Sequence, residues 1–273
     1  MSRPPAPAQG HRRLALALAL ALGVSLLTAC GGSGAKTSDQ PTIRVVAASD
    51  LKFALDEVVA NLRTDHPEVK VNLSYGSSGT FLTQIQNGAP ADVYLSADLS
   101  YPRQLVEEGK AEQTNLFAYA VGRLVLWVPE GSSVDPTKGL SVLTGADVRK
   151  VSIANPEHAP YGMAAVAALK KAGVYDAVAP KLVLGENIAQ AAEFVQSGNA
   201  DAGLVAKSLV LADATRGVGE WYELPADLYP RLDQGGVVLT NTTAHPGELL
   251  REELLSKRGT AILARYGFTL PRG

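Results

Sequence analysis

Ile43-Arg44-Val45-Val46-Ala47-Ala48-Ser49-Asp50-Leu51 (IRVVAASDL, residues 43–51) is the stretch on which the reading of the fold turns. Its first six residues form a short β-branched run that suits a pleated strand. The period then changes at once: Leu51, Ala54, Leu55, Val58, Val59 and Leu62 recur at helical spacing. The same switch recurs downstream. Val69–Leu73 (VKVNL) alternates with period two and leads into a helix with Phe81, Leu82 and Ile85 on its inner face. Asp92–Ser96 (DVYLS) is a third strand, followed by a short helix over Tyr101–Glu108. Such alternation predicts a parallel sheet covered by helices.

Farther along, Leu116–Val128 carries no helix signal and reads as a strand pair passing between two lobes. A second α/β set follows: strand Val151–Ala154, helix Met163–Ala172, strand Leu182–Leu184, helix Ile188–Ser197 and strand Ala202–Val205. After Trp221, Gly236–Leu239 reads as another strand and Gly247–Tyr266 as one closing helix. The expected fold class is α/β with two lobes, each a mixed, mostly parallel sheet flanked by helices. Residues 42–120 with 233–273 are expected to form the first lobe and residues 121–232 the second.

Ahead of this body, Arg12 and Arg13 precede an apolar run from Leu14 to Leu27. That run would span about 21 Å as a helix at ~1.5 Å per residue, short of a bilayer core of ~30 Å. Residues 1–29 therefore read as a secretory signal. They end Leu27-Thr28-Ala29-Cys30, which is similar to a bacterial lipobox, with Cys30 as the lipid-bearing residue. The segment after Cys30, through residue 41, is a polar, Gly- and Ser-containing tether with a reach of about 18 Å at ~5–6 Å × √n. The expected location is the cell envelope, tethered at the outer face of the cytoplasmic membrane.

Composition excludes several function classes. The full chain has 25 Lys and Arg against 27 Asp and Glu, a formal net charge of −2. Removing residues 1–29 takes away Arg3, Arg12 and Arg13 and no acid, leaving 22 basic and 27 acidic residues, or −5. Nucleic acid is not an expected partner, since phosphate-backbone binding calls for a basic face. One Cys excludes an internal disulfide and a cysteine zinc cluster, and the four histidines show no metal-ligand spacing. No protein-coordinated metal and no cofactor are expected. No P-loop or G-x-G-x-x-G occurs, so nucleotide binding has no support either.

Candidate chemistry lies where strands run into helices, the ligand-binding edge of open α/β sheets. Four such junctions stand out: Ala47–Leu51, Ser74–Phe81 (SYGSSGTF), Asn155–Gly162 (NPEHAPYG) and Gly185–Ile188 (GENI). Ser, Asp and Asn cap helices in many proteins, and Asn187 is a suitable N-cap. Taken together, however, four helix starts offer unpaired N–H groups and positive dipole ends, which suit an anion. Ser77 and Ser78 add neutral hydroxyl donors. A fully deprotonated oxyanion, which only accepts hydrogen bonds, fits such a site without Arg or Lys. The competing reading is a hydrolase with Ser77 or Ser78 as nucleophile, but G-x-S-x-G is unmatched because Thr80 holds its last position. His158, between two prolines, is expected to be a surface or supporting residue.

The segments AASDL (47–51), YGSSGTF (75–81), GAPADVYLSAD (88–98), NPEHAPYG (155–162), ADAGLVA (200–206) and RYGF (265–268) resemble the periplasmic molybdate-binding proteins of ABC transporters. The resemblance implies a two-lobed type II periplasmic-binding fold that closes on molybdate or tungstate and delivers it to a membrane permease with its ATPase. It implies a monomeric binding protein rather than an enzyme. Ser49 and Ser78 fall on the family's hydroxyl and backbone donors, and Tyr161 and Ile188 on its backbone donors. Many members add a tyrosine hydroxyl where this chain has Ala206. Tyr161, Asn187 or Ser208 are the residues expected to replace it, with Ser77 as a further donor. Asp50 is expected to sit at a helix start, turned to solvent. Sulfate or phosphate is the alternative cargo: sulfate has the charge and shape of molybdate in a smaller ion, and hydrogen phosphate would need an acceptor that Asp50 supplies.

Overall fold

The computed structural model describes residues 42–240 and 245–271. The signal, Cys30 and the tether lie outside the described residues. The described chain forms two five-stranded sheets, each covered by helices.

In the first sheet β1 (Thr42–Ala48) lies between β2 (Lys70–Gly76) and β3 (Val93–Ser96), parallel to both. β10 (Leu232–Val238) pairs antiparallel with β3, and β4 (Leu116–Gly122) antiparallel with β10, giving the order β2-β1-β3-β10-β4. Helix α1 (Lys52–Asp65) buries Ala54, Leu55, Val58, Val59 and Leu62, the stripe its spacing predicts. Each fully buried aliphatic side chain contributes roughly 1.5–3 kcal/mol. Together with α8 (His245–Leu255) and α9 (Lys257–Arg265), α1 covers one face of the sheet. The other face packs against α2 (Ser78–Gln86) and α3 (Ser100–Glu107) through Phe81, Leu82, Ile85, Tyr94 and Leu105. At the start of β3, Asp92 receives both the Arg44 guanidinium (2.6 and 3.0 Å) and the Arg44 N–H (2.6 Å). Burial pushes the Asp92 carboxyl up, but Arg44 outweighs this and holds it below the usual carboxylate range.

The second sheet repeats the plan. β6 (Val151–Ala154) lies between parallel β7 (Leu182–Gly185) and β8 (Ala202–Ala206). β5 (Leu124–Pro129) and β9 (Gly219–Glu223) extend it antiparallel, in the order β7-β6-β8-β5-β9. Its helices are α4 (Pro160–Lys171), α5 (Tyr175–Val178), α6 (Ile188–Gln196) and α7 (Lys207–Val210). The chain leaves the first sheet at Arg123, between β4 and β5, and re-enters it with β10. The strands that make the crossings pair antiparallel, so each sheet is a parallel three-stranded core with an antiparallel extension.

Several elements differ from their sequence patterns: β10 begins at Leu232 rather than Gly236, and α4 at Pro160 rather than Met163. Gly247–Tyr266 is two helices, because Ser256 adopts extended backbone (ψ 166°) and its Oγ caps α9 by accepting from Gly259 N at 3.0 Å. A Cβ on Gly259 would lie 2.1 Å from the Glu253 carbonyl, so this tight corner excludes a side chain there. Strand β9 carries no clear alternation, because it is an edge strand that only β5 pairs.

Candidate functional site

The four strand-to-helix junctions meet. Ala48, Ser49, Asp50, Gly76, Ser77, Ser78 and Ala97 of the first lobe face Ala159, Pro160, Tyr161 and Ile188 of the second across a small cavity. No basic side chain is among these lining residues. The free space is about 10 Å³, room for about one water-sized sphere. A cavity of about 420 Å³ opens near the crossing strands, lined by Arg123, Tyr229 and Arg231 among others, but no α-helix starts among its lining residues. Convergence of donors rather than volume marks the site.

Each predicted residue has a definite place. Ser78 begins α2 and is 1% exposed; its Oγ accepts from Ala97 N at 3.0 Å, which leaves the hydroxyl hydrogen free to donate elsewhere. The buried Tyr94 hydroxyl donates to the Ser78 carbonyl (2.7 Å) and fixes that turn. Tyr161 and Ile188 occupy the first turns of α4 and α6, where backbone N–H groups have no intrahelical partner. Pro160 suits the first position of α4, having no N–H to leave unpaired. A Cβ on Gly162 would lie 2.2 Å from the Ala154 carbonyl, so glycine lets α4 start hard against the end of β6.

Other predicted residues hold the two lobes together. Ser49 Oγ donates to Asn187 Oδ1 (3.0 Å) and accepts from Ala189 N (3.2 Å), across the cleft. Asn187 Oδ1 also caps α6 by accepting from Ala189 N and Gln190 N. Ser77 Oγ donates to the His158 carbonyl (2.6 Å), and Gly79 N donates to the same oxygen (2.9 Å). Ser208 Oγ donates to the Asp50 carbonyl (2.7 Å), so it stands behind the site and does not replace the tyrosine hydroxyl. The Tyr161 hydroxyl accepts from Gln234 Nε2 (3.3 Å).

His158 Nδ1 lies 2.9 Å from Ser77 Oγ, a contact with the composition of a nucleophile and its base. The bond directions oppose that use. With the Ser77 hydrogen given to the His158 carbonyl, Nδ1 must bring its own hydrogen to Oγ and has no lone pair to accept a proton there. Glu186, 3.9 Å from Nε2, is mostly exposed and does not clamp the ring. The pair is a latch between lobes.

Asp50 corrects the expectation that it faces solvent. Its side chain is turned inward and is 1% exposed, because the turn at Ser49–Leu51 packs against α6 and α7 of the other lobe. Gln234 Nε2 donates to Asp50 Oδ2 at 2.5 Å. Burial pushes the Asp50 carboxyl up to about 6, against hydrogen bonds from Gln234 and Tyr161 that favour the charged form. Keeping it ionised at neutral pH costs the folded form about 3 kcal/mol. That cost is absent below about pH 4, where both folded and unfolded chains carry the proton, and complete above about pH 6. Burial, and then the Asp50 charge, raise Tyr161 well above its usual value, so its hydroxyl keeps its hydrogen.

Gln234 was not singled out by the sequence, although an amide flanked by apolar and glycine residues in β10 is an available signal. The β10–β4 register slips between Gln234 and Gly235, whose partners are Ala120 and Ala118, leaving Tyr119 without a direct partner. Such slips re-aim side chains beside functional sites. Among the described residues no cluster of His, Cys, Asp and Glu suits a metal ion, and no helix is long and apolar enough to cross a membrane.

The bacterial extracellular solute-binding protein model matches residues 43–269. The chain belongs to this solute-binding family. Among its relatives, the molybdate-binding protein ModA of Azotobacter vinelandii is 38% identical over 245 residues, covering 89% of this chain and 94% of the relative. ModA of Rhodobacter capsulatus is 39% identical over 247 residues, covering 90% and 95%. The solved structure of the Azotobacter vinelandii periplasmic molybdate-binding protein superposes with a TM-score of 0.78 at 32% identity, covering 84% of this solute-binding protein and all of that chain. The two-lobed periplasmic-binding fold expected from the sequence is thus the fold observed.

Proposed function

We propose that this solute-binding protein captures molybdate, with tungstate as a second cargo, and delivers it to the permease and ATPase of an ABC importer. The observation that carries this reading is the meeting of four helix starts, from both lobes, on one small cavity lined by neutral donors and no basic side chain. Ser78 donates through hydroxyl and N–H, and Tyr161 and Ile188 through N–H. Ser49 donates likewise once a ligand oxygen takes the place of Asn187 as acceptor. Ser77 and Asn187 act as supports, closing the cleft rather than touching the ion. The protein works by binding and release, without catalysis, metal or cofactor. It acts as a monomer, held at the outer face of the cytoplasmic membrane through lipid on Cys30.

Capture follows from the geometry. In the parted form the helix starts are hydrated; on closure the N–H and O–H groups exchange water for ligand oxygens. The cavity then excludes solvent, which strengthens each charge-assisted bond. A smaller tetrahedral anion leaves some donors short of an acceptor, at about 1–3 kcal/mol each, so two poor contacts give about thirtyfold discrimination or more. Asp50 beside the cavity favours a second reading, hydrogen phosphate, whose proton would need an acceptor. Isothermal titration of the mature chain with molybdate, tungstate, sulfate and phosphate tests both. The expected result is tight molybdate and tungstate binding with sulfate at least about thirtyfold weaker. Sulfate as tight as molybdate sinks the selectivity, and phosphate binding without molybdate binding replaces the first reading with the second.

A further inference from the structure

Asp50 is the one acidic side chain lining the donor cavity, where a like charge beside a bound anion is unfavourable. Its Oδ2 is held by Gln234, while Oδ1 is buried and meets no hydrogen-bond partner among the described residues. The groups around it come from several elements. Tyr161 of α4, Gln234 of β10 and the Asp50 and Leu51 N–H groups act on the carboxyl and favour its charge, but burial outweighs them; Ser208 of α7 holds its main-chain carbonyl, and Tyr119 of β4 lies within electrostatic reach. None of these is a cation. A buried carboxylate with a free oxygen, no cationic partner and an anion beside it has one neutral form, and that form carries a hydrogen to donate.

We propose that Asp50 is a proton-bearing residue of the oxyanion site: it takes up one proton as the lobes close and donates the Oδ1–H to a ligand oxygen. The inference rests on the oxyanion reading given above. The proton comes from solvent, joins Oδ1 when the cleft shuts and returns to solvent when it opens; no other bond is made or broken. Burial in the closed form already moves the carboxyl to about 6, and a bound anion moves it further in the same direction. In the parted, hydrated form Asp50 is an ordinary ionised carboxylate at neutral pH. Binding is therefore linked to proton uptake, and affinity falls as pH rises, by up to tenfold per pH unit while the parted form is ionised and the closed form is not.

The test is titration of the full chain with molybdate near pH 7 in two buffers of different ionisation enthalpy, repeated over about pH 6 to 8. Molybdate carries no proton in this range, so uptake belongs to the protein. The expected result is about one proton taken up per molybdate bound, with affinity falling several-fold or more per pH unit. Asp50→Asn carries a permanent N–H donor, so it should bind molybdate with no proton uptake from this position and a flat pH profile. Molybdate binding by the unaltered chain without proton uptake overturns the inference alone, as does uptake that persists in Asp50→Asn. No molybdate heat at any pH overturns the proposed function instead. If Asp50→Asn does not fold, the proton count on the unaltered chain still decides.

Discussion

In the first lobe the strands ending at Ala48 and Gly76 lead into Ser49 and Ser77-Ser78, while in the second those ending at Ala154 and Gly185 lead toward Pro160-Tyr161 and Asn187-Ile188. The backbone plan is the same on both sides: parallel strands whose carboxyl ends open into helix starts. The chemistry differs. The first lobe offers hydroxyls and a carboxyl, and the second offers main-chain N–H groups, its own side chains here packing in its core or bonding to the first lobe. Ile188 is 4% exposed and belongs to the apolar core of its lobe, and the Tyr161 hydroxyl is held near Gln234. A side-chain donor depends on residue identity, whereas a backbone donor depends only on where a helix begins.

Three substitutions break or sharpen this contrast. Ser78→Ala removes a hydroxyl with a free hydrogen from the first lobe and should weaken molybdate binding by about 1.5–3 kcal/mol, the worth of a hydrogen bond to a charged group. Unchanged affinity by calorimetry would take Ser78 out of the site and erase the difference between the lobes. Gly79→Ala tests the closure both lobes share. A Cβ there would lie 2.6 Å from the His158 carbonyl of the other lobe, a clash that exists only when the cleft is shut. Affinity should fall by about 1–3 kcal/mol. The melting temperature of the ligand-free protein should hold, because alanine suits a helix better than glycine by about 1 kcal/mol. A large drop in melting temperature would show that the glycine serves the fold of its own lobe instead.

Ile188→Val probes the backbone side. It should cost about 0.5–1.5 kcal/mol of stability in a denaturant titration, from the lost core methylene. Molybdate affinity should not change, because the N–H at the start of α6 stays in place. A loss of affinity comparable to that of Ser78→Ala would mean the second lobe also reads its ligand by side chain.

Much of the fold was legible along the chain because its signals are local. The switch from β-branched alternation to helical spacing after Ala48 needs only adjacent residues to be seen, and Val151–Ala154 is a strand both by pattern and in space. The junction serines and Asn187 were legible for the same reason, since capping residue types sit where one period gives way to another. The break at Ser256 was weaker, because Ser and Gly259 act through one tight corner that the apolar spacing runs straight across.

Asp50 and Gln234 show the other limit. They are 184 residues apart, and nothing local distinguishes an acidic helix-start residue that faces water from one buried against another lobe. The same holds for Ser77 and His158, 81 apart, whose bond directions decide between a latch and a catalytic pair. Residue order by itself determined the alternating elements, the four helix starts and the supply of neutral donors, since these follow from periodicity and capping over a few residues. Tertiary structure alone decided which donors share a cavity, which hydroxyls bind the lobes to each other and which carboxyl is taken out of water. Those outcomes depend on burial and on partners from distant parts of the chain, and burial sets whether a carboxyl keeps its charge.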